Sequence, residues 1–167
     1  MSPHHLNRDE SFGYLVNHLA RLLVRALHNR ISPHGVVPGQ FPVLLTLWEH
    51  DGLTQAELHQ RTDVEQATMA NTLQRMERDG LVTRLPHPSD RRQAIVRLTQ
   101  RARKLEPTLV EAARAINEMS LAGLSGTERA ECLASLRRAI DNLRTLLDSG
   151  PVAKKSAASG RAPARRR

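Results

Sequence analysis

Apolar residues recur at steps of three and four near both ends of the chain, a spacing that places their side chains on one face of an α-helix. Between residues 11 and 31 this pattern is unbroken, and Ser11 is suited to cap the helix. The same spacing returns between 100 and 147, where Ser125 and Glu128 form a capping box. Both stretches are therefore predicted to form amphipathic helices.

The pattern between these stretches predicts shorter elements. One helix is expected from about Gln40 to His50. Thr54 and Glu57 form a second capping box that opens a short helix, and another helix follows over about 65–79. In this last helix three apolar residues are expected to face inward, namely Met69, Leu73 and Met76.

Residues 81–99 read LVTRLPHPSDRRQAIVRLT, two runs of alternating apolar residues joined by a charged loop. This alternation predicts two strands, and the loop between them makes the pair a β-hairpin. A helix-turn-helix followed by a charged hairpin is typical of a winged DNA reader. The expected fold class is therefore mainly α, a winged helix-turn-helix of about six helices with a two- or three-stranded β-wing.

The helix over 65–79 has the side chains that a helix reading the major groove needs. Asparagine and glutamine can pair with adenine, and alanine can contact a thymine methyl group. Thr68 and Arg75 are better suited to phosphate contacts. Such a face can also serve only to keep a helix soluble, but the preceding turn and the following hairpin favour DNA binding. The candidate DNA-contacting residues are Gln66, Ala67, Thr68, Ala70, Asn71, Gln74 and Arg75.

The hairpin loop supplies three further candidates for DNA binding, Asp90, Arg91 and Arg92. An arginine at the tip of a wing can enter the minor groove, where negative potential is concentrated. We expect the Asp90 carboxylate to hold the Arg92 guanidinium, because these two groups form charge-assisted hydrogen bonds. Arg91 is expected to face phosphate.

The chain carries a formal net charge of +8, from 25 Lys and Arg against 17 Asp and Glu. The last seventeen residues hold six of the basic residues and no acidic one, so residues 1–150 have a net charge of only +2. A basic tail raises the charge of any protein, so the local pattern carries the argument for DNA. We predict a flexible N-terminus over 1–10 and a disordered basic tail over 148–167.

Several protein classes are excluded by the sequence. The single cysteine, Cys132, cannot form an internal disulfide, and neither a signal peptide nor a membrane-spanning run is evident, so a cytoplasmic protein without a membrane partner is expected. The chain has no glycine-rich phosphate loop and no nucleophile elbow, so we expect neither an enzyme nor a cofactor. Its eight histidines lack ligand spacing, so no metal site is expected.

The run LTQAELHQRTDVEQATMANTLQRMERDGLVTRLPHPSDRRQAIVRLT resembles the winged helix-turn-helix of the multiple-antibiotic-resistance regulator (MarR) family. The shared features include ERDGLV, the D-x-R of the wing and the closing LT, and the resemblance covers about residues 11–147. One departure is Ala102, where many members have glycine. The resemblance places the winged helix-turn-helix at about 40–99 and dimerisation helices at about 11–31 and 100–147.

The family implies a homodimer whose first and last helices interleave and whose two wings straddle a pseudo-palindromic operator in double-stranded DNA. The apolar stripes of the terminal helices also favour a dimer, because a small winged domain cannot cover them alone. The family also implies a small effector, often aromatic and anionic, that binds beside the dimer helices and releases the DNA. Candidate effector-pocket residues are Phe12, Tyr14, His18, Arg21, Arg25 and Trp48, each of which is alternatively a core or solvated residue.

These observations favour a sequence-specific transcriptional regulator, and we expect a repressor that responds to an aromatic carboxylate. Two alternatives stay open. Winged helices can bind protein instead of DNA. Cys132 can be a redox sensor, although sensing relatives carry the reactive cysteine in the N-terminal helix and Cys132 lies in the last predicted helix, where a small buried residue is ordinary.

Overall fold

The computed structural model describes residues 7–62, 64–90 and 92–149. Its order of elements confirms the predicted fold class, a mainly α winged helix-turn-helix with three strands in the wing. In chain order the elements are α1 (Phe12–Ile31), two 3₁₀ turns (Ser32–His34 and Pro38–Gln40), α2 (Phe41–Glu49), β1 (Leu53–Thr54), α3 (Gln55–Thr62), α4 (Gln66–Arg78), β2 (Val82–Pro86), β3 (Ala94–Leu98), α5 (Gln100–Ser120) and α6 (Gly126–Asp148).

The chain divides into two units, of which the first ends at Ser120 and the second begins at Leu121. In the first unit, α1 begins where Ser11 was predicted to cap it, and the Ser11 hydroxyl accepts a hydrogen bond from the Tyr14 N–H at 3.4 Å. Helix α1 packs along α5. Much of its apolar surface is nevertheless exposed, including Phe12, Leu15, Val16, Leu19, Leu22 and Val24.

The core of the first unit lies under the helix-turn-helix. Met69, Leu73 and Met76 of α4 have no exposed surface, which confirms the predicted inward face of that helix. They share the core with side chains from α2, α3 and the sheet, including Leu44, Leu47, Leu58, Val82 and Val96. Burial of each large aliphatic side chain contributes about 1.5–3 kcal/mol, so this cluster holds α4 firmly to the body.

The wing is an antiparallel sheet in the strand order β1-β3-β2. Its base is tied to the helices by Asp51, whose carboxylate accepts a hydrogen bond from the Leu98 N–H at 2.9 Å and also pairs with Arg103. Gly80 has a φ of +67°, a left-handed conformation that lets the chain turn directly from α4 into β2. The wing therefore projects from a fixed base.

Helix α5 continues through Pro107 without a break. In the second unit, the predicted capping box opens α6: the Ser125 N–H donates to the Glu128 carboxylate at 2.7 Å, and the Glu128 N–H donates to the Ser125 hydroxyl at 3.3 Å. None of the α6 residues, all of which are described, is buried in the single chain. The large exposed apolar residues of α6 are Leu133, Ile140, Leu143, Leu146 and Leu147.

Within the described part of the chain, no helix has the length and apolar character to cross a membrane, and no cluster of His, Cys, Asp or Glu is arranged to hold a metal ion. The single thiol, Cys132, is half-buried on α6. The predicted flexible N-terminus lies partly, and the predicted disordered tail almost wholly, outside the described residues.

Candidate nucleic-acid interface

Helix α4 presents the face that the sequence predicted for DNA contact. The candidate side chains on this helix are exposed, apart from the half-buried Ala70, while Met69, Leu73 and Met76 hold the opposite face in the core. The turn before α4 is fixed by His59, whose Nδ1 is hydrogen-bonded to the Val64 carbonyl. Sequence reasoning did not single out His59 for this purpose. Asp63, in the same turn, lies outside the described residues.

The wing and the start of α4 share one groove of about 500 Å³. Gln66 of α4 and Arg92 of the wing both line it, so the structure brings together the two candidate elements. Six further polar residues of this groove were not predicted to contact DNA, namely Thr54, Gln55, His59, Gln60, Arg84 and Gln93. Arg84 was detectable in the sequence, because it is a basic residue on a predicted strand of the wing.

Arg84 also pairs with Glu77 of α4, its Nε lying 3.5 Å from a carboxylate oxygen. Both side chains are partly solvent-exposed, so the pair adds little to stability. It does place a positive charge between the recognition helix and the wing. The groove therefore offers amide and guanidinium donors along one continuous surface.

The tip of the wing corrects the predicted role of Asp90. Its carboxylate accepts hydrogen bonds from the main-chain N–H of Arg92 at 3.0 Å and from the Gln93 amide at 2.9 Å, and not from the Arg92 guanidinium. A short polar side chain bonds most readily to main-chain groups two residues ahead, which explains the difference. These bonds, that from Arg92 first, lower the pKa of Asp90.

The other side of the tip is organised by His87. Its Nδ1 accepts hydrogen bonds from the N–H groups of Ser89 and Asp90, at 3.3 and 3.2 Å. The loop is therefore shaped by two side chains that bind its backbone, and Arg92 is exposed beside them. Arg91, the remaining candidate of the loop, lies outside the described residues.

The six predicted effector-pocket residues do not converge. Arg21 and Arg25 line a groove of about 700 Å³ together with His28, Pro38 and Gly39, and we call it the basic groove. The aromatic candidates lie elsewhere. Phe12 is 56% exposed at the start of α1, and the rings of Tyr14 and His18 meet edge to face at 6.1 Å. Trp48 packs against the core, with its Nε1 donating to the Ala102 carbonyl at 3.2 Å.

A second groove, of about 440 Å³, lies beside α1, α2 and α5, and Val24 lines both this groove and the basic groove. Its lining is mainly apolar and includes Leu27, Phe41 and Val110. Arg114 provides a cationic group at its edge. Together the two grooves place apolar surface next to the Arg21 and Arg25 guanidinium groups, a combination suited to a small molecule with a ring and a negative charge.

Comparison with known proteins decides the family. A MarR family model matches residues 37–94. The HTH-type transcriptional repressor NicR of Pseudomonas putida is 39% identical over 103 residues, which span 62% of this chain and 65% of NicR, just under two thirds of its length. The uncharacterized HTH-type transcriptional regulator YdgJ of Bacillus subtilis is 31% identical over 65% of this chain and 68% of YdgJ. The chain belongs to the MarR family.

Solved structures agree with this assignment to the MarR regulators. Reduced AbfR bound to DNA is 26% identical, has a TM-score of 0.70 and is matched over 81% of this chain and 91% of that one. BpsR of Bordetella bronchiseptica, whose DNA binding is regulated by 6-hydroxynicotinic acid, is 25% identical with a TM-score of 0.73, over 82% of this chain and 99% of that one. This MarR-family protein is a transcriptional regulator and not an enzyme.

Proposed function

We propose that this protein is a cytoplasmic, homodimeric repressor that binds a pseudo-palindromic operator in double-stranded DNA and leaves it when a small aromatic carboxylate binds. One observation carries the DNA-binding part: Gln66, at the start of the polar face of α4, and the wing arginine Arg92 line the same groove. A duplex that lies across this surface meets the recognition helix in its major groove and the basic hairpin in the adjacent minor groove.

Base reading falls to the exposed side chains near the start and middle of α4. The amides of Gln66, Asn71 and Gln74 can each make a bidentate pair with adenine, and Ala67 and Ala70 can contact thymine methyl groups. Thr68 and Arg75 contact the phosphate backbone of the DNA, which fixes the register of the helix on the duplex. The wing adds Asp90, Arg91 and Arg92, with the Arg92 side chain in the minor groove.

The dimer follows from the apolar surfaces that one chain leaves exposed. Leu15, Leu19 and Leu22 on α1, and Ile140 and Leu143 on α6, are all more than one third exposed. Apolar faces of this extent on two helices mark an interface between subunits. A two-fold dimer sets its recognition helices about 34 Å apart, which is one turn of DNA. The operator is therefore pseudo-palindromic.

The effector site is proposed at the basic groove. Its guanidinium groups, Arg21 and Arg25, with His28 beside them, can bind a carboxylate, and the apolar surface of the adjoining groove can take an aromatic ring. The regulation of BpsR by 6-hydroxynicotinic acid, an aromatic carboxylate, supports this class of ligand. The proposed site does not include Phe12, Tyr14, His18 or Trp48, because none of these four residues lines either groove.

Binding to DNA fragments from the region upstream of the protein's own gene tests the DNA-binding proposal. Fluorescence anisotropy is expected to show that the protein binds these upstream fragments more tightly than scrambled DNA, and that the affinity falls steeply as the salt concentration rises. Arg92→Ala is expected to weaken specific binding by about 10- to 100-fold with the fold intact, whereas Lys104→Ala, which removes an exposed charge from α5, has a small effect. Equal binding of wild type and Arg92→Ala contradicts the role of the wing.

Thermal shift with a panel of aromatic acids, including 6-hydroxynicotinate, tests the effector proposal. At least one acid is expected to raise the Tm and to release the DNA, and Arg25→Ala is expected to abolish both effects. Arg30→Ala on the same helix, which does not line the basic groove, is the control. Absence of stabilisation and of DNA release across the panel would remove the aromatic carboxylate from the proposal.

A further inference from the structure

Gln40 is a polar side chain that lies in the core, with 2% of its surface exposed. Its amide oxygen accepts a hydrogen bond from the Val37 N–H at 3.1 Å, and its amide nitrogen donates to the Asp79 carboxylate at 2.8 Å. The second bond joins residues 39 positions apart in the chain. A buried amide needs both partners, so Gln40 fixes the position of Asp79 relative to the segment 32–40 that links α1 to α2.

Asp79 directly follows the recognition helix α4 and caps it, its N–H donating to the Arg75 carbonyl at 2.8 Å. The Asp79 carboxylate also accepts a hydrogen bond from the Arg78 Nε at 3.0 Å. The bond from the Gln40 amide is the main reason why the pKa of Asp79 lies below its ordinary value of 3.8. The contact is therefore a charge-assisted hydrogen bond at neutral pH.

Arg101, near the start of α5, makes a second connection between the same two segments. One guanidinium nitrogen donates to the main-chain carbonyl of Asp79, and the other donates to the His34 carbonyl at 2.8 Å. The side chain passes so close to Gly35 that a Cβ there would lie 2.8 Å from Nη2. The end of α4 is thus attached to the α1–α2 link at two points, Gln40 and Arg101.

The opposite side of this link faces the basic groove. Pro38 and Gly39 line that groove together with Arg21 and Arg25, and Gln40 is the next residue. A ligand that displaces Pro38 or Gly39 therefore moves the residue that is bonded to Asp79. Packed contacts of this kind switch between discrete arrangements instead of deforming gradually.

We propose that Gln40, Asp79 and Arg101 are positioning residues that set the orientation of α4 from the α1–α2 link and pass occupancy of the basic groove to the DNA-reading face. The inference rests on the proposed function, because it takes α4 as the helix that reads DNA. None of the three side chains needs to touch DNA or effector. Gln40 acts through the Asp79 carboxylate, and Arg101 acts through the Asp79 main-chain carbonyl.

Reversing the polarity of the Gln40–Asp79 hydrogen bond tests the positioning role. Gln40→Glu sets two carboxylates against each other and is expected to weaken operator binding by about tenfold or more. The double variant Gln40→Glu with Asp79→Asn restores one amide–carboxylate bond, with donor and acceptor exchanged, and is expected to return to within about threefold of wild type. Affinity for scrambled DNA is expected to stay constant throughout.

Unchanged operator affinity in Gln40→Glu, or a double variant as weak as the single one, overturns the positioning role. If circular dichroism shows that Gln40→Glu does not fold, Arg101→Gln takes its place, because Arg101 is exposed and Lys104→Gln on the same helix is a matched control. A wild-type protein that binds upstream and scrambled DNA equally contradicts the proposed function instead, so the two failures are distinguishable.

Transmission from the groove is tested without a ligand by filling the groove from Gly39. A Cβ at Gly39 meets no atom within 4 Å, so Gly39→Leu adds bulk to the groove side of the link. Gly39→Leu is expected to weaken operator binding in the wild-type background and to have little further effect with Arg101→Gln. Additive effects of the two substitutions, or no effect of Gly39→Leu alone, overturn the transmission.

Discussion

Asp90 and Arg92 are joined through the main chain of Arg92, whose N–H donates to the Asp90 carboxylate at 3.0 Å. The second carboxylate oxygen is occupied by the Gln93 amide at 2.9 Å. Asp90 therefore shapes the turn at the tip of the wing and does not neutralise the arginine. This leaves the Arg92 charge for DNA, which is what a minor-groove probe requires.

Asp90→Ala is expected to loosen the wing tip and weaken operator binding, by less than Arg92→Ala, because it removes the support and not the contacting group. The Tm is expected to change little, since the tip lies outside the core. Anisotropy titrations with operator DNA measure the affinity. A larger loss in Asp90→Ala than in Arg92→Ala contradicts this division of roles.

The order that Asp90 gives to the tip depends on pH in one direction. The Arg92 N–H and the Gln93 amide lower the pKa of Asp90. The contribution of the Asp90 carboxylate to the stability of the tip is therefore fully present above the ordinary pKa of 3.8, and it is lost as the pH falls through the lower pKa of the folded state. The NMR resonance of the Arg92 N–H is expected to be insensitive to this carboxylate between about pH 7 and 5. A large shift of that resonance between about pH 7 and 5 in wild type, with no such shift in Asp90→Ala, would contradict this prediction.

The capping box before α3 is expected to carry measurable stability. The Glu57 carboxylate accepts a hydrogen bond from the Thr54 N–H at 2.7 Å, and the Thr54 hydroxyl accepts one from the Glu57 N–H at 3.2 Å. Thr54→Ala is expected to cost about 1 kcal/mol of unfolding free energy in urea. Thr46→Ala, which removes an exposed hydroxyl from inside α2, is the control and is expected to cost less.

Disrupting the apolar face of α6 is expected to dissociate the dimer. Leu143 is 55% exposed in the single chain, and a charge there cannot be buried against a partner. Light scattering after size exclusion is expected to give a monomer mass for Leu143→Glu and a dimer mass for wild type. Asn142→Glu places the same charge on the neighbouring polar position and is expected to stay dimeric. A dimeric Leu143→Glu variant would place the interface elsewhere.

The basic tail is expected to add affinity that is independent of sequence. Its six Lys and Arg residues lie after position 150, outside the described residues. Deleting 151–167 is expected to reduce the slope of log K against log salt by about 0.9 for each phosphate that the tail neutralises, while preference for the operator remains. An unchanged slope shows that the tail does not bind phosphate.

The local elements of this fold could be predicted because local rules determine them. Ser11 and the Thr54–Glu57 pair were recognised from spacing alone, and both cap their helices as expected. The inward face of α4 followed from the helical period, and the hairpin from alternation. In each case the deciding contacts lie within a few residues of one another.

Contacts between distant segments were beyond the reach of the sequence. The Gln40–Asp79 bond spans 39 residues, and neither residue type signals it. Tryptophan is a residue type that often lines ligand sites, but the Trp48 N–H donates to the carbonyl of Ala102, 54 residues away in the chain. The Asp90 correction has a different origin, since a nearby N–H competed successfully with the guanidinium. Periodicity identifies faces, but only the packed chain decides which polar groups meet.

Base reading by α4 is the central claim, and the specificity ratio of Asn71→Ala measures it directly. The ratio compares Kd on scrambled DNA with Kd on the operator, for wild type, Asn71→Ala and the control Lys104→Ala. Asn71→Ala is expected to lower the ratio by about 10- to 100-fold with unchanged affinity for scrambled DNA. An equal loss on both DNAs, or a ratio equal to that of wild type, would contradict base reading by this helix.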